Sequence, residues 1–174
     1  IMKRIITTTA FALALTLGLG VPQADAAPKG PTVVDVAVMI NTSGPFAGQF
    51  DTLIAAVVAT PSVLMTLGGN GQFTVFAPTD GAFALLGLDE NNVGNLPTDV
   101  LEDILTYHVT RGRRAEGDIL DSTRIRTLYK DFLTQSGGVL TDNLGRDANI
   151  IATDVMAANG IIHAIDAVVL PYLP

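Results

Sequence analysis

The chain has 174 residues, a formal net charge of −7 and no cysteine. An acidic chain repels the phosphate backbone of nucleic acid, so nucleic acid is not an expected partner. Without cysteine, the chain can form no disulfide, has no thiol chemistry and builds no cysteine-ligated zinc site.

Residues 1–26 have the organisation of a secretory signal peptide. Lys3 and Arg4 form a basic start, and an apolar stretch broken only by small residues follows at 5–21. Ala24-Asp25-Ala26 then places small residues at the two positions that a signal peptidase reads. The apolar stretch is slightly shorter than the ~20 residues that a membrane anchor requires. We therefore expect cleavage after Ala26, secretion to the periplasm or the external medium, and no stable membrane insertion after cleavage.

The first half of the mature chain contains mainly helix signals. Residues 27–32, with two prolines and a glycine, predict a flexible lead-in, and residues 33–40 are expected to be helical. Apolar residues at i, i+3, i+4 and i+7 predict a second helix: Phe50, Leu53, Ile54 and Val57. Thr60 and Pro61 suit the N-cap and the first position of a third helix. That helix is expected to end at Gly68-Gly69 in a left-handed cap.

Strand signals become frequent after this point. Residues 73–76 predict a short strand that stops at Pro78, and Thr79 is expected to cap the helical turn that follows. Thr98 is expected to cap a helix over residues 99–107. Short β-prone runs then follow one another, at residues 125–129, 132–134, 139–141, 150–155 and 161–170.

The order of these elements indicates the fold class. Asn159-Gly160 separates the last two runs and is favourable for a tight hairpin turn. Because helices concentrate in the first half of the mature chain and strands in the second, the sequence predicts one α+β domain over residues 33–171.

The two histidines are the first candidates for chemistry. His108 follows Leu101, Ile104 and Leu105 at helical spacing, and His163 shares a strand face with its apolar neighbours two residues away. Both are therefore expected in the core, where a histidine must be hydrogen bonded. A catalytic or metal-binding role would need carboxylates that converge in space, which the sequence does not indicate.

Other catalytic patterns are missing from the sequence. There is no Gly-x-Ser-x-Gly elbow, and no Gly-rich run ends in the Gly-Lys-Ser/Thr of a phosphate-binding loop. We therefore expect no enzymatic activity, no metal and no cofactor.

Three segments in order resemble the motifs of one family. Residues 73–83 (FTVFAPTDGAF) and 159–171 (NGIIHAIDAVVLP) are similar to the two signatures of fasciclin-like domains, and residues 104–109 (ILTYHV) are similar to the Tyr-His motif of that family. The resemblance implies a β-wedge packed against several α-helices. It also implies a structural role for the motif residues Thr79, Asp80, Phe83 and His163. Gly81 departs from the pattern and is expected to loosen its helical turn by up to ~1 kcal/mol relative to alanine.

The resemblance further implies an exported, non-catalytic adhesion or binding module of the cell surface or extracellular matrix, with a surface protein or polysaccharide as partner. In animal matrix members of the family, integrin contacts lie just before the second signature and at the Tyr-His motif. The matching positions here are Asp154, Val155, Met156, Tyr107 and His108. A bond from Asp154 to a nearby strand end is the structural alternative. The alternative function is a soluble carrier of a small apolar ligand or glycan, bound between the helices and the sheet.

Overall fold

The computed structural model describes residues 28–173, so the expected signal peptide lies outside the described residues. The helices are α1 (Val33–Thr42), α2 (Asp51–Val58), α3 (Pro61–Leu67), α4 (Asp80–Ala84), α5 (Thr98–Tyr107) and α6 (Glu116–Leu120), with a 3-10 helix at Val93–Asn95. The strands are β1 (Phe73–Pro78), β2 (Val109–Arg111), β3 (Arg124–Arg126), β4 (Phe132–Ser136), β5 (Val139–Thr141), β6 (Asp147–Ala157) and β7 (Gly160–Ile165). Within residues 28–173, no helix combines the length and the apolar character that crossing a membrane requires.

The strands form one sheet of seven in the order β2-β1-β7-β6-β5-β4-β3. The central strands β1 and β7 are parallel, and every other neighbouring pair in this order is antiparallel. The two end strands also meet, because Thr110 on β2 forms an antiparallel bridge with Thr127, next to β3. This arrangement of helices and a mixed sheet confirms the α+β class.

The central strands are buried on both faces, as is typical of parallel strands. One face, with Val75 on β1 and Ile162 on β7, packs into a large cluster that includes the buried side chains of α1, α2, α3 and α5. The other face, with Phe76 and Ile165, packs into a smaller cluster with the buried residues of β3, β4 and β5. The sheet thus lies between a helical layer and its own curled antiparallel half.

The last residues of the segment before α1 are hydrogen bonded to the domain. Thr32 and Asp35 form a reciprocal capping box at the start of the helix. Pro31 O accepts a hydrogen bond from Ala158 N in the turn between β6 and β7. The end of the expected flexible lead-in, residues 27–32, is therefore fixed against that turn.

Three helix ends differ from the sequence predictions. Thr60 precedes α3, but its Oγ1 donates to Ala56 O at 3.0 Å instead of capping the new helix. Gly68 has φ −80°, so α3 ends without a left-handed residue there. Helix α5 begins one residue early, with Thr98 inside it and Pro97 at the N-cap. In each case, threonine and glycine allowed the predicted cap but did not require it.

The Asn159-Gly160 turn was also predicted in the wrong place. Gly160 pairs with Ala157 as the first residue of β7, so the two turn residues are Ala158 and Asn159. Gly160 is required there for a different reason, because a β-carbon would overlap Phe73 O and lie 2.7 Å from Val33 Cγ1. The glycine permits a close approach of two strands.

Candidate functional site

The first family motif links the sheet to the helical layer through Thr79 and Asp80. Thr79 Oγ1 accepts a hydrogen bond from Ala82 N at 3.4 Å and begins α4. The Asp80 carboxylate accepts from the N–H groups of Asp51 and Thr52, at 3.2 and 2.8 Å, in the first turn of α2. A carboxylate in this position satisfies free N–H groups and complements the positive end of the helix dipole. Asp80 therefore joins two helices, while Phe83, on α4, is buried in the large cluster.

The Tyr-His motif lies in the core. Tyr107 is fully buried, its hydroxyl donates to Phe132 O at 2.9 Å, and burial raises the pKa of Tyr107 to about 12. His108 is buried as well, with Nδ1 bonded to Ile104 O at 2.8 Å and Nε2 to Val169 N at 3.1 Å. Neither side chain presents a surface to a partner in this conformation.

Asp154 occupies a bulge in β6, where the register with β7 shifts between Ala152 and Val155. Its backbone is left-handed, with φ +59°, a conformation that aspartate adopts more readily than most residues. Its Oδ1 accepts a hydrogen bond from Glu116 N at 2.9 Å, at the first residue of α6. The Asp154 side chain thus caps a helix from a neighbouring strand. The bond is structural, but it leaves the residue exposed.

The same bulge fixes the ring of His163. Its Nδ1 accepts from Asp154 N at 3.3 Å, and its Nε2 donates to Arg114 O at 2.9 Å. The ring is fully buried and stacks on Phe76 with 5.9 Å between the ring centroids. Because both ring nitrogens are bonded, His163 has no free nitrogen for a metal or a substrate.

Met156 is exposed, with 56% of its surface accessible to solvent. Val155 beside it is half-buried. The guanidinium of Arg113 lies against Met156, with 3.7 Å between Nη2 and Sδ. Its Nη1 donates to Ala157 O and Ala158 O at 3.1 and 3.2 Å. This end of the β6–β7 hairpin is therefore an ordered surface with an apolar and a cationic side chain side by side.

Sequence reasoning missed the buried carboxylate of Asp142. Its oxygens accept from the backbone N–H groups of Leu144, Arg146 and Leu170, and the Arg146 guanidinium donates to Oδ2 at 2.7 Å. Burial alone would raise the pKa of Asp142, but the hydrogen bonds from Leu170 and Arg146 outweigh it and hold the pKa below its ordinary value. The pair attaches the segment after β7 to the β5–β6 turn.

Two cavities among the described residues bear on possible ligand binding. One of about 80 Å³ lies between α1, α2 and the sheet; its lining is almost entirely apolar and includes the exposed side chains of Val38 and Val58. The other, of about 290 Å³, lies between α6 and the β5–β6 region and is lined by both polar and apolar residues, among them Asn149, Thr153 and His163.

The buried polar side chains of the described chain are bonded within the domain. Within residues 28–173, every buried side-chain nitrogen and oxygen has a hydrogen-bond partner. The same residues contain no cluster of three or more histidines and carboxylates that could hold a metal ion. The buried polar side chains described above therefore contribute to the stability of the domain.

Comparison with known proteins agrees with this architecture. The family model of the fasciclin domain matches residues 48–171. Protein sll1483 of Synechocystis sp. is 39% identical over 145 residues, which cover 80% of this chain and 73% of that protein. The cell surface glycolipoprotein MPB83 of Mycobacterium bovis is 38% identical over 108 residues, which cover 61% of this chain and 46% of that protein.

A solved structure shows the same fold. The FAS1 domain pair from the insect cell adhesion molecule fasciclin I matches with a TM-score of 0.60 at 20% identity. The match covers 80% of this chain and 51% of that one, so the chain spans about half of the pair. The family model, the relatives and the fold agree: this chain belongs to the fasciclin domain family.

Proposed function

We propose that the chain is an exported, non-catalytic module for adhesion or binding at the cell surface or in the surrounding matrix. One observation carries the proposal: the motif side chains that could perform chemistry are hydrogen bonded within the domain. The similarity to a cell surface glycolipoprotein and to the fold of a cell adhesion molecule supports this function.

The partner-binding surface in this proposal is centred on Asp154, Val155 and Met156. Asp154 and Met156 are exposed, and Arg113 extends the surface toward β2. Tyr107 and His108 contribute indirectly, because they hold the core beneath the sheet. An exposed carboxylate next to an apolar side chain could contact either a partner's cation or its apolar surface.

The experiment measures attachment of beads coated with purified residues 27–174 to the producing cells. The variant Asp154→Asn retains Oδ1 as an acceptor for Glu116 N and tolerates the left-handed backbone, so it removes only the charge. The variant Met156→Ala removes the apolar contact. We expect weaker attachment from each, with unchanged unfolding curves.

The matched control is Glu90→Gln, which removes an exposed carboxylate elsewhere and keeps the acceptor Oε1 for Asn91. Attachment that is equal in all four proteins would rule out this surface. Attachment no greater than that of beads without protein would rule out adhesion itself.

The cavity between α1, α2 and the sheet supports a second candidate function, that of a carrier of a small apolar ligand. Its lining suits an aliphatic group, and Val38 and Val58 are exposed at its edge. However, its volume of about 80 Å³ is smaller than the ~150 Å³ cavity that accommodates benzene in an engineered protein. The cavity can hold the end of an acyl chain, but a whole lipid would have to separate the helices. The small volume makes adhesion the better-supported function.

Titration of the domain with a fluorescent fatty acid tests the carrier. A carrier binds it at a saturable site, and Val57→Phe, which fills the cavity, abolishes that binding. Binding that survives Val57→Phe, or that does not saturate, would count against the carrier function.

A further inference from the structure

The basic residues of this acidic protein are concentrated in one part of the fold. Residues 28–173 contain eight lysines and arginines, of which six fall between residues 111 and 130. They are Arg111, Arg113, Arg114, Arg124, Arg126 and Lys130. Most carboxylates lie outside this segment, so the segment is a positively charged region of a domain whose net charge is negative.

The bridge beside β2 and β3 brings two of these arginines close together, and two more lie next to them along the chain. Thr110 bridges Thr127 in antiparallel fashion, and Thr110 Oγ1 donates to Arg126 O at 2.7 Å. The next position along each strand places Arg111 opposite Arg126. Arg124 is the first residue of β3, and Arg113 follows the end of β2 and bonds the turn between β6 and β7. We call Arg111, Arg113, Arg124 and Arg126 the arginine seam; all four are exposed.

The seam has no internal counterion. The one salt bridge among residues 28–173 joins Arg146 to Asp142, so no carboxylate of this part of the chain pairs with a seam arginine. Arg124 instead lies over the Phe132 ring, 4.1 Å from its centroid, and Arg113 bonds the carbonyls of the β6–β7 turn.

Like charges at opposing strand positions destabilise a sheet. Arg111 and Arg126 form such a pair, at the contact that joins the two ends of the sheet. The buried threonines between the strands supply the stability of this contact, and the arginines oppose it. Unpaired arginines in this arrangement favour an external anion, which would remove the repulsion when it binds.

We propose that the arginine seam binds an anionic polysaccharide. This inference rests on the proposed adhesion function and names the class of its partner. A guanidinium presents a planar fork of N–H donors that matches carboxylate and sulfate groups. Alternate residues of a strand lie ~6.7 Å apart, so Arg124 and Arg126 present two charges along β3, with Arg111 beside them. An extended polymer with repeated acidic groups can contact several of them at once.

The charge of the remaining domain restricts how such a polymer binds. Its carboxylates repel the polymer everywhere except at the seam, so the polymer is held along β2 and β3. Arg113 connects the seam to Met156, and the two surfaces are therefore continuous.

The test uses heparin (sulfated) and alginate (carboxylated) as immobilised probes, with neutral dextran as the blank. We expect purified residues 27–174 to bind heparin or alginate at about 50 mM salt and to be released near 0.5 M, because screening weakens exposed charge contacts. The double variant Arg111→Gln/Arg126→Gln should bind at least about tenfold more weakly. Arg113 is left unchanged because it also bonds the β6–β7 turn.

The matched control is Ser62→Glu/Asn95→Asp, which lowers the net charge by the same amount on the exposed surface of α3 and the 3-10 helix. It should bind nearly as well as the unmodified chain. Equal binding by the seam variant and the unmodified chain would overturn the proposal, as would retention on an acidic protein and on neither polysaccharide.

The bead attachment assay separates this inference from the proposed function. If the unmodified chain and the seam variant attach to cells equally, the adhesion function stands and the seam proposal fails. If the unmodified chain binds heparin but attaches to no cell, the seam proposal stands and the adhesion function fails.

Discussion

His108 Nε2 accepts a hydrogen bond from the backbone N–H of Val169, with 3.1 Å between the two nitrogens. On the other side of the ring, Nδ1 donates to Ile104 O at 2.8 Å. A backbone N–H can only donate, so this pair of bonds requires the neutral ring with its hydrogen on Nδ1. Burial lowers the pKa of His108 to about 4, although the bond to Ile104 opposes the shift.

The first prediction follows from that neutral ring. The pKa of an unfolded histidine is about 6.5, so between pH 6.5 and 4 the unfolded chain binds a proton that the folded chain does not. The contribution of His108 to stability is therefore complete above pH 6.5 and falls through this window, by up to about 3 kcal/mol. Urea unfolding at pH 7, 5.5 and 4.5 measures the loss.

The variant His108→Gln provides the comparison. It should be less stable at pH 7, because a buried contact to Val169 is disturbed, but its free energy of unfolding should fall less between pH 7 and 4.5. A pH dependence identical to that of the unmodified chain would show that another group titrates in this window.

The second prediction concerns Asp142. In Asp142→Asn, the amide nitrogen must replace either Oδ1, which accepts from the Leu144 and Arg146 N–H groups, or Oδ2, which accepts from the Leu170 N–H and the Arg146 guanidinium. In both orientations it faces donors. The Asp142 carboxylate is buried, whereas 35% of the Arg146 side chain is exposed. Losing hydrogen bonds to the buried charge should cost about 2 kcal/mol, which chemical denaturation at pH 7 measures. The exposed Asp121→Asn should change stability by less than about 0.5 kcal/mol. The pKa of Asp142 is lowered, so its contribution is lost only below pH 3.8, outside the window of His108.

The third prediction concerns the Asn159 side chain, which joins three elements. Its Oδ1 accepts from Val33 N at 2.8 Å, and its Nδ2 donates to Leu67 O and Gly69 O at 2.7 and 2.8 Å. Asn159→Ala leaves three backbone groups without these bonds and should destabilise the domain by at least about 3 kcal/mol. The same substitution at the exposed Asn95 is the control. A loss below about 1 kcal/mol at Asn159 would mean that water replaces the side chain.

The fourth prediction compares two glycines. Gly160→Ala places a methyl group against Phe73 O and Val33, so β1 and β7 must separate, and the loss should exceed about 2 kcal/mol. Gly81→Ala adds a methyl group in α4 whose nearest neighbour is Thr79 Oγ1 at 3.7 Å, so it should stabilise the domain by up to ~1 kcal/mol. Thermal unfolding of both variants measures whether each substitution lowers or raises the stability of the domain. Shifts in the same direction would contradict this account.

Much of the fold was predictable because the sequence expresses it locally. Periodicity located the helix that became α2, and short β-prone runs located most of the strands. The burial of His108 and His163 also followed from spacing alone. These features depend on which residues share a face of one element, and that is a property of neighbours in the chain.

The features that the sequence did not reveal depend on contacts between distant elements. Asn159 suggested a turn, but its side chain bonds residues from Val33 to Gly69, and no local pattern indicates such partners. The role of Asp154 required knowledge that α6 begins beside β6. The arginine concentration is visible in the sequence as a basic segment within an acidic chain. However, the pairing of Arg111 with Arg126 emerges only from the bridge between Thr110 and Thr127.

The parallel pairing of β1 with β7 has a consequence for when this protein can fold. Phe73 and Gly160 are direct partners although half of the chain separates them. Of the seven strands, β7, which lies between β1 and β6, is the last to be synthesised. Until residues 160–165 are available, the sheet is divided and β1 lacks one of its two neighbours. Contacts between such distant residues also form slowly, because a long loop must close before they contribute. Until then the open edge of β1 can pair with another chain, so the arrival of β7 also protects the protein from aggregation.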